Sequence, residues 1–347
     1  MEGSFNDDYK RLAGYVNALK ESNIGSDINL NVSLVEGKRQ FLRMYICFDA
    51  LKRGFKSGLR PFIGVDGTFL KGKAKGQLLC LVKCKVTWLW FLELLQKSLN
   101  LNNGEGITII SDMQKGLIEA MKIVLPNAMH RYCMRHIEAN WRKMGNYSKR
   151  MSKLLWWCAW SVDRVVEEAK DHLLYFPIHT WCRVYFDTVC KNQKVENNLA
   201  AKPIIGMLEA IRIKVMNKVV KHEKEVLTWN EEWSPQAIKM YNEFLNIANV
   251  VELTFNGDYG FEISEGNDKF IVSLKSKRCS CRVWELTGIP CPHAIKALQY
   301  KEFDPKKEIH WWYSKEAYLP TYHSKLQPVP GPKFWKIDPA KQWSHLL

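Results

Sequence analysis

The sequence predicts an α/β body followed by a small ββα module. Two observations carry this expectation. Between residues 61 and 145, short apolar and β-branched runs alternate with stretches of helical periodicity. Near the C-terminus, Cys279 and Cys281 are followed after nine residues by Cys291 and then His293, so three thiols and an imidazole fall within fifteen positions. Thiolate and imidazole are the donors of tetrahedral zinc, and four of them close a structural site.

The elements follow in order. Residues 1–60 comprise a polar lead, a helix around Asp8–Glu21, an Asn- and Ser-rich loop, and an amphipathic stretch, Gln40–Lys56. FIGVDGTF and LLCLVKCKV read as strands joined by the Lys/Gly turn at 71–76. Trp88–Leu99 reads as a helix, ITIIS as a buried strand, and Lys115–Val124 as a helix stopped by Pro126. Residues 150–182 read as helical and carry Trp156, Trp157, Trp160 and Trp181. Pro203 suits the first turn of a helix, and Ile204, Leu208, Ile211, Val215 and Val219 behind it form an apolar stripe.

Residues 227–258 read as a connector. Residues 260–274 read as two strands around the turn Glu265-Gly266-Asn267-Asp268. Cys279 and Cys281 leave the second strand toward one side, because extended side chains alternate with period two. Pro290 starts the next element, and Cys291 and His293 open the helix PHAIKALQY. So small a unit buries too little to hold together unaided, so the metal's binding free energy is its folding free energy. Free cysteine can also serve as a small core hydrophobe, which is the alternative to a metal site. The tail from Gln327 has prolines at 328, 330, 332 and 339 and is expected to be extended. The expected domains are a helical remnant at 1–60, an α/β domain with a helical insertion at 61–226, the connector at 227–258, the finger at 259–300 and a tail at 301–347.

Composition narrows the function. A chain of 347 residues with 46% hydrophobic and 12% aromatic content can build real cores in two or three domains. The start, MEGSFNDDYK, does not read as a signal peptide. No apolar run approaches the roughly 18 residues of a membrane span, and the nearest, Val86–Leu95, is broken by Glu93. Neither a membrane nor a small-molecule substrate is expected as partner. The ten cysteines are expected to be reduced, which favours a metal site over a disulfide framework. Net charge is +15, with 51 basic against 36 acidic residues. Residues 114–153 hold nine Lys/Arg against two acids, and 269–307 hold nine against three. Such stretches, interleaved with Tyr132, Trp141 and Tyr147, suit a phosphate backbone, and equally a merely solvated face.

The Cys-x-Cys…Cys-x-His arrangement after a hairpin resembles the SWIM-type zinc finger. CRVWELTGIPCPHAIKAL is similar to the SWIM modules at the C-terminal end of plant Mutator-like element (MULE) transposases. PFIGVDGTFLKGKAKGQLL, TWLWFLELL, ISDMQKGLIEAM and PNAMHRYCMRHIEANWRK resemble successive blocks of the transposase domain of the same family, in the same order. The resemblance spans roughly residues 35–335. It implies an RNase H-like core with a helical insertion, residence in the nucleus, and DNA as partner. It also implies structural zinc on Cys279, Cys281, Cys291 and His293. The family's separate N-terminal DNA-binding module is not visible here, so little sequence preference is expected.

RNase H-like transposases cut and join DNA with two divalent ions held by three carboxylates, and Mg²⁺ or Mn²⁺ favours such oxygen donors. The resemblance places the first acid at Asp66 in VDGTF and the second at Asp112 in ISDMQKG. Each also has an ordinary reading, Asp66 in an Asp-Gly turn and Asp112 as a helix cap. In the family a segment resembling Ser-Glu-x-Phe-Asn follows an Asn-Asn pair and supplies the third acid. Here Glu196-Asn197-Asn198 runs directly into Leu199 and on to Pro203, leaving Glu196 and Glu209 as the nearby carboxylates. Between Gly76 and Trp88 there is room for one strand where the family has two, so an incomplete sheet is expected. Cys133 and His136 form a Cys-x-x-His pair that reads as a packing feature. As metal ligands they would take partners from Cys158, His172, Cys182 or Cys190. The leading reading is a transposase-derived, zinc-binding nuclear protein that binds nucleic acid without cutting it. The alternatives are an active MULE transposase using Mg²⁺ or Mn²⁺, and an adaptor whose finger contacts protein.

Overall fold

A computed structural model describes residues 5–35, 38–58, 61–69, 77–78, 85–143, 149, 152–153, 155–156, 203–258 and 260–337. Helix α1 (Phe5–Ser22) buries Leu12, Tyr15 and Leu19. It is followed by an antiparallel ribbon of β1 (Asp27–Val35) and β2 (Lys38–Cys47) and by helix α2 (Asp49–Ser57). The expected Asn/Ser-rich loop is therefore a strand, and the amphipathic stretch divides into a strand and a helix. The reason is a period-two pattern, Ile28, Leu30, Val32 and Leu34, which outweighs the low strand propensity of the intervening Asn residues. Ile28 is buried against α1, whereas Leu34 is 73% exposed toward the ribbon's far end.

The middle of the chain forms small sheets with helices. Strand β3 (Phe62–Val65) is followed by β4 (Thr68–Phe69), which pairs with β5 (Gln77–Leu78), and by helix α3 (Lys85–Leu99). Then come β6 (Thr108–Ser111), α4 (Lys115–Val124), β7 (Met129–Tyr132) and α5 (Met134–Lys143). Strands β3, β6 and β7 make a parallel sheet in that order, with Val65 beside Ser111 and Ser111 beside Tyr132. All four residues of β6 are buried, as expected of a central parallel strand covered on both faces. Trp88, Leu92, Ile109, Leu117 and Met121 fill the core, and the Trp88 indole N–H donates to Gln114 at 3.2 Å. Of the expected strand LLCLVKCKV, Leu78 pairs with Thr68, residues 79–84 lie outside the described residues, and Lys85 and Val86 open α3 instead. Most of 150–182 also lies outside them.

Helix α6 (Ile204–Leu227) begins after Pro203, which stands as its N-cap, one place earlier than expected. Asp8 accepts from the Ile205 N–H at 3.0 Å, satisfying a first-turn donor from α1. Ile204, Leu208, Val215 and Val219 of the expected stripe face the α1 core. Within this contact Arg212 forks onto Glu209 at 2.7 and 2.8 Å, and the Tyr15 hydroxyl donates to Glu209 at 2.8 Å.

Burial alone would raise the Glu209 carboxyl, but Arg212 and Tyr15 outweigh it and hold the group below the usual carboxylate range. A depressed folded value means the pair stabilises fully above the unfolded carboxyl pKa and is lost as pH falls through the folded one. Glu209→Gln should therefore cost about 3 kcal/mol at neutral pH, since it strands the buried Arg212. Thermal melts at pH 7 and pH 3 test this, because the gap between variant and wild type must narrow in acid.

Residues expected as a connector hold helix α7 (Pro235–Ala248) and strand β8 (Glu252–Phe255). Ser234 caps α7 by accepting from the Ala237 N–H, with Pro235 at the first helical position. Strand β8 edges a four-stranded antiparallel sheet with β9 (Gly260–Glu265), β10 (Asp268–Ser273) and β11 (Arg278–Cys279), in the order β8-β9-β10-β11. Helices α8 (Val283–Thr287) and α9 (Pro292–Tyr300) follow. The region expected as a tail contains α10 (Lys315–His323), which packs on α2 and α6. From Gln327 the chain is irregular, as the prolines suggest, apart from a 3₁₀ turn at Pro332–Phe334. It stays docked: Gln327 and Asn23 exchange two hydrogen bonds, and Trp335 meets Tyr15 edge-on. Among the described residues no helix is long and apolar enough to cross a membrane.

Candidate metal centre

The hairpin β9–β10 closes over a two-residue loop, with Glu265 opposite Asp268 and Gly266 at φ +62°. That backbone region suits glycine, which has no Cβ to clash. The chain then turns back, and Cys279 pairs with Val272 on a third strand, β11, rather than continuing the second. The expected alternation still holds. Ser280 is exposed and exchanges hydrogen bonds with the Ile271 backbone, so Cys279 and Cys281 both turn inward. Arg282, at φ +59°, swings the chain into α8, and Gly288, at φ +68°, ends that helix. A Cβ on Gly288 would come within 2.8 Å of His310. Cys291 is the N-cap of α9, its sulfur accepting from the Ala294 N–H at 3.4 Å. His293 follows as the second residue of that helix, within its first turn.

Cys279, Cys281, Cys291 and His293 are all buried, and their ligand atoms lie within 4.8 Å of one another. Among the described residues this is the one set of three or more Cys, His, Asp or Glu side chains so gathered. The Cys279 sulfur lies 3.6 Å from His293 Nδ1. With Zn–S of ~2.3 Å and Zn–N of ~2.0 Å, the S–N edge of a tetrahedron is about 3.5 Å. The donor set and its spacing fit zinc. Charge points the same way. Hydrogen bonds from Cys281 and Cys291 draw the Cys279 thiol down, while those that Cys291 makes with Cys279 and Cys281 push the Cys291 thiol up. One thiolate is easy here and three are not, unless a cation sits between them. Burial disfavours the His293 imidazolium, but Cys281 and Glu265 outweigh that and raise its pKa.

Two further residues complete the surroundings. Glu265 Oε2 lies 2.9 Å from His293 Nε2, and the Phe270 ring stacks on the imidazole at 4.0 Å. Neither carried a sequence signal. Glu265 reads as a turn residue and Phe270 as a strand hydrophobe, and the contacts form only when the hairpin folds back on α9.

The acids expected from the resemblance lie elsewhere. Asp66, Asp112 and Cys133 are the residues immediately after β3, β6 and β7, so the sheet register brings them to one edge. His136, in the first turn of α5, places Nε2 at 3.6 Å from Asp66. Burial raises the half-buried Asp112 carboxyl against the Gln114 backbone N–H and His136, and Asp66 adds to the rise. Asp112 also accepts from the Gln114 N–H at 3.3 Å, a turn contact two residues on, and it does not cap α4, whose N-cap is Gln114. Glu209 is committed to Arg212 and Tyr15, and Glu196, Cys158, His172, Cys182 and Cys190 lie outside the described residues. Among the aromatics beside the basic residues, Trp141 is buried, Tyr132 meets His130 edge-on, and Tyr147 lies outside the described residues.

Comparison with family models matches residues 268–302 to the SWIM zinc finger and residues 83–140 to the MULE transposase domain. The first match spans β10 to α9 with all four donors. The second spans most of α3 to α5, with Asp112, Cys133 and His136 but not Asp66. A comparison with curated proteins gives no match. The chain thus carries a match to the MULE transposase domain followed by a match to the SWIM zinc finger, the combination found in a MULE transposase with a SWIM finger.

Proposed function

We propose that this chain is a transposase-derived nuclear protein that binds nucleic acid through basic surfaces, is held by structural zinc, and no longer cuts DNA. The observation that carries the reading is the state of the two acids. Asp66 and Asp112 share the C-terminal edge of a parallel sheet, where α/β folds place chemistry. Yet among the described residues they gather no third acid, and their neighbours there are an imidazole and a thiol. The order β3-β6-β7 fits the parallel half of an RNase H-like sheet, which supports descent from the enzyme. Metal-pair chemistry needs its ligands held within about 0.5 Å, so the loss of one carboxylate is not absorbed by drift.

Binding is supported by charge placed outward. Lys115, Lys122, Arg135, Arg142 and Lys143 are exposed on the body. On the finger, Arg278 and Arg282 line a concavity of about 710 Å³ together with Ser273, Ser276, Ser280 and the single acid Glu285. Cationic and hydroxyl groups of this kind contact phosphates and position a duplex without reading it.

Titrating the full chain onto a labelled duplex at two salt concentrations tests the proposal. Affinity should fall on the order of 10³-fold between 50 and 200 mM salt if about six phosphates are neutralised. Scrambling the duplex sequence should change little. The same mixtures, with Mn²⁺ added, should yield no nicked strand on a denaturing gel. Nicking that vanishes in both Asp66→Asn and Asp112→Asn would restore the enzyme reading. A flat salt response would favour a protein-binding adaptor.

A further inference from the structure

We propose that Glu265 is a positioning residue that fixes the tautomer of His293, so that zinc is taken by Nδ1 and never by Nε2. The inference rests on the zinc reading and goes beyond it, by naming the ligand atom and the group that selects it.

The imidazole is held on three sides. Nδ1 faces the Cys279 sulfur at 3.6 Å, Nε2 faces Glu265 Oε2 at 2.9 Å, and the ring lies under Phe270 with planes 20° apart. A neutral imidazole carries one proton and one lone pair on opposite nitrogens. An ionised carboxylate can only accept, so its partner nitrogen must be the one that keeps the proton. The lone pair is then left on Nδ1, directed at the three sulfurs. A ring flip about Cβ–Cγ would put Cδ2 where Nδ1 faces Cys279 and Cε1 where Nε2 faces Glu265, losing both contacts, and Phe270 holds the ring in one plane. A carboxylate behind a metal-binding histidine also raises the basicity of the ligating nitrogen.

Packing does not account for Glu265. It is exposed, its side chain is 45% accessible, and it lies at the tip of β9, outside the finger's apolar cluster. The neighbouring Glu262 is a fair control, since it makes a comparable surface ion pair with Lys269 at 2.7 Å but does not touch the finger's ligands. If Glu265 were a mere surface charge, the two should behave alike.

Zinc affinity of the full chain, measured by competition with a chromophoric chelator, separates these cases. Glu265→Ala should weaken zinc about 10- to 100-fold, the range for removing a histidine's outer partner. Glu265→Gln, whose amide oxygen can still accept from Nε2–H, should recover much of the loss, and Glu262→Ala should leave affinity unchanged. Nitrogen-15 histidine spectra of the zinc-loaded wild type supply a readout that simple destabilisation would not move. The histidine whose signals respond to zinc should show a protonated Nε2 and a metal-bound Nδ1. Equal affinity in Glu265→Ala and Glu262→Ala, or a metal-bound Nε2, would overturn the assignment while leaving the zinc site intact. A wild-type chain that takes up no zinc would overturn both.

Discussion

Withdrawing zinc from the intact chain should melt the finger while the α1 core stays folded. The four donors are not appended to a finished core, because Cys279, Cys281 and Cys291 are themselves members of it, packed with Phe261, Ile263, Val272, Trp284 and Leu298. Without metal that core surrounds three thiols and an imidazole with polar needs that apolar neighbours cannot meet. Structural zinc contributes about 10–16 kcal/mol in small finger peptides, as much as or more than the whole stability of an ordinary domain, about 5–15 kcal/mol. The α1 core shares no buried residue with this cluster, so it should not follow. Hydrogen exchange before and after chelation reads both regions at once. Residues 260–300 should lose protection, and 8–22 should keep theirs. Cys291→Ser should reproduce the chelated pattern, since this sulfur is both a donor and the cap of α9. Protection unchanged across 260–300 would mean that the fold makes the site rather than the metal making the fold.

The four clustered side chains, Cys279, Cys281, Cys291 and His293, are legible in the sequence because they are local: fifteen residues, two spacings and a turn signal. The parallel strands and α4 were legible for a similar reason, since apolar runs bounded by Pro126 and polar turns leave few alternatives. Strand β1 is less legible, because the Asn and Ser residues between Ile28, Leu30, Val32 and Leu34 have low strand propensity. Residues 227–258 conceal their elements for a different reason. Nothing within residues 227–258 announces that α7 will lie against α9, or that β8 will extend the finger's sheet, because their partners lie up to some tens of residues away. Glu265 belongs with these, as its role exists only once it meets a histidine 28 residues on. Pattern reading finds what a segment does for itself and misses what two segments do for each other.

That distinction yields a second large effect, on the boundaries of the finger. A fragment of residues 255–305 keeps all four donors, yet it should bind zinc far more weakly than a fragment of residues 229–323. The reason is a second core on the side of α9 that faces away from the metal. There Ile289 and Ile295, both fully buried, pack with Ala237, Tyr241 and Ala248 of α7 and with Ile309 and Tyr313. The Tyr313 hydroxyl donates to the Thr287 carbonyl at 2.6 Å, and the His310 N–H donates to Gly288 at 2.7 Å. Exposing the two isoleucines costs about 1.5–3 kcal/mol each, and each lost hydrogen bond about 1 kcal/mol. Leaving the flanks unordered returns part of this as chain entropy. A net penalty of about 3–4 kcal/mol falls on zinc affinity, because the metal must then fold what the flanks no longer support, and every ~1.4 kcal/mol is tenfold. The shorter fragment should therefore bind about 10²- to 10³-fold more weakly by chelator competition. Ile295→Ala in the longer fragment should move affinity in the same direction by about 2–5 kcal/mol or less, according to how far the site collapses. Equal affinities for the two fragments would show that α7 and residues 305–314 only lean on the finger.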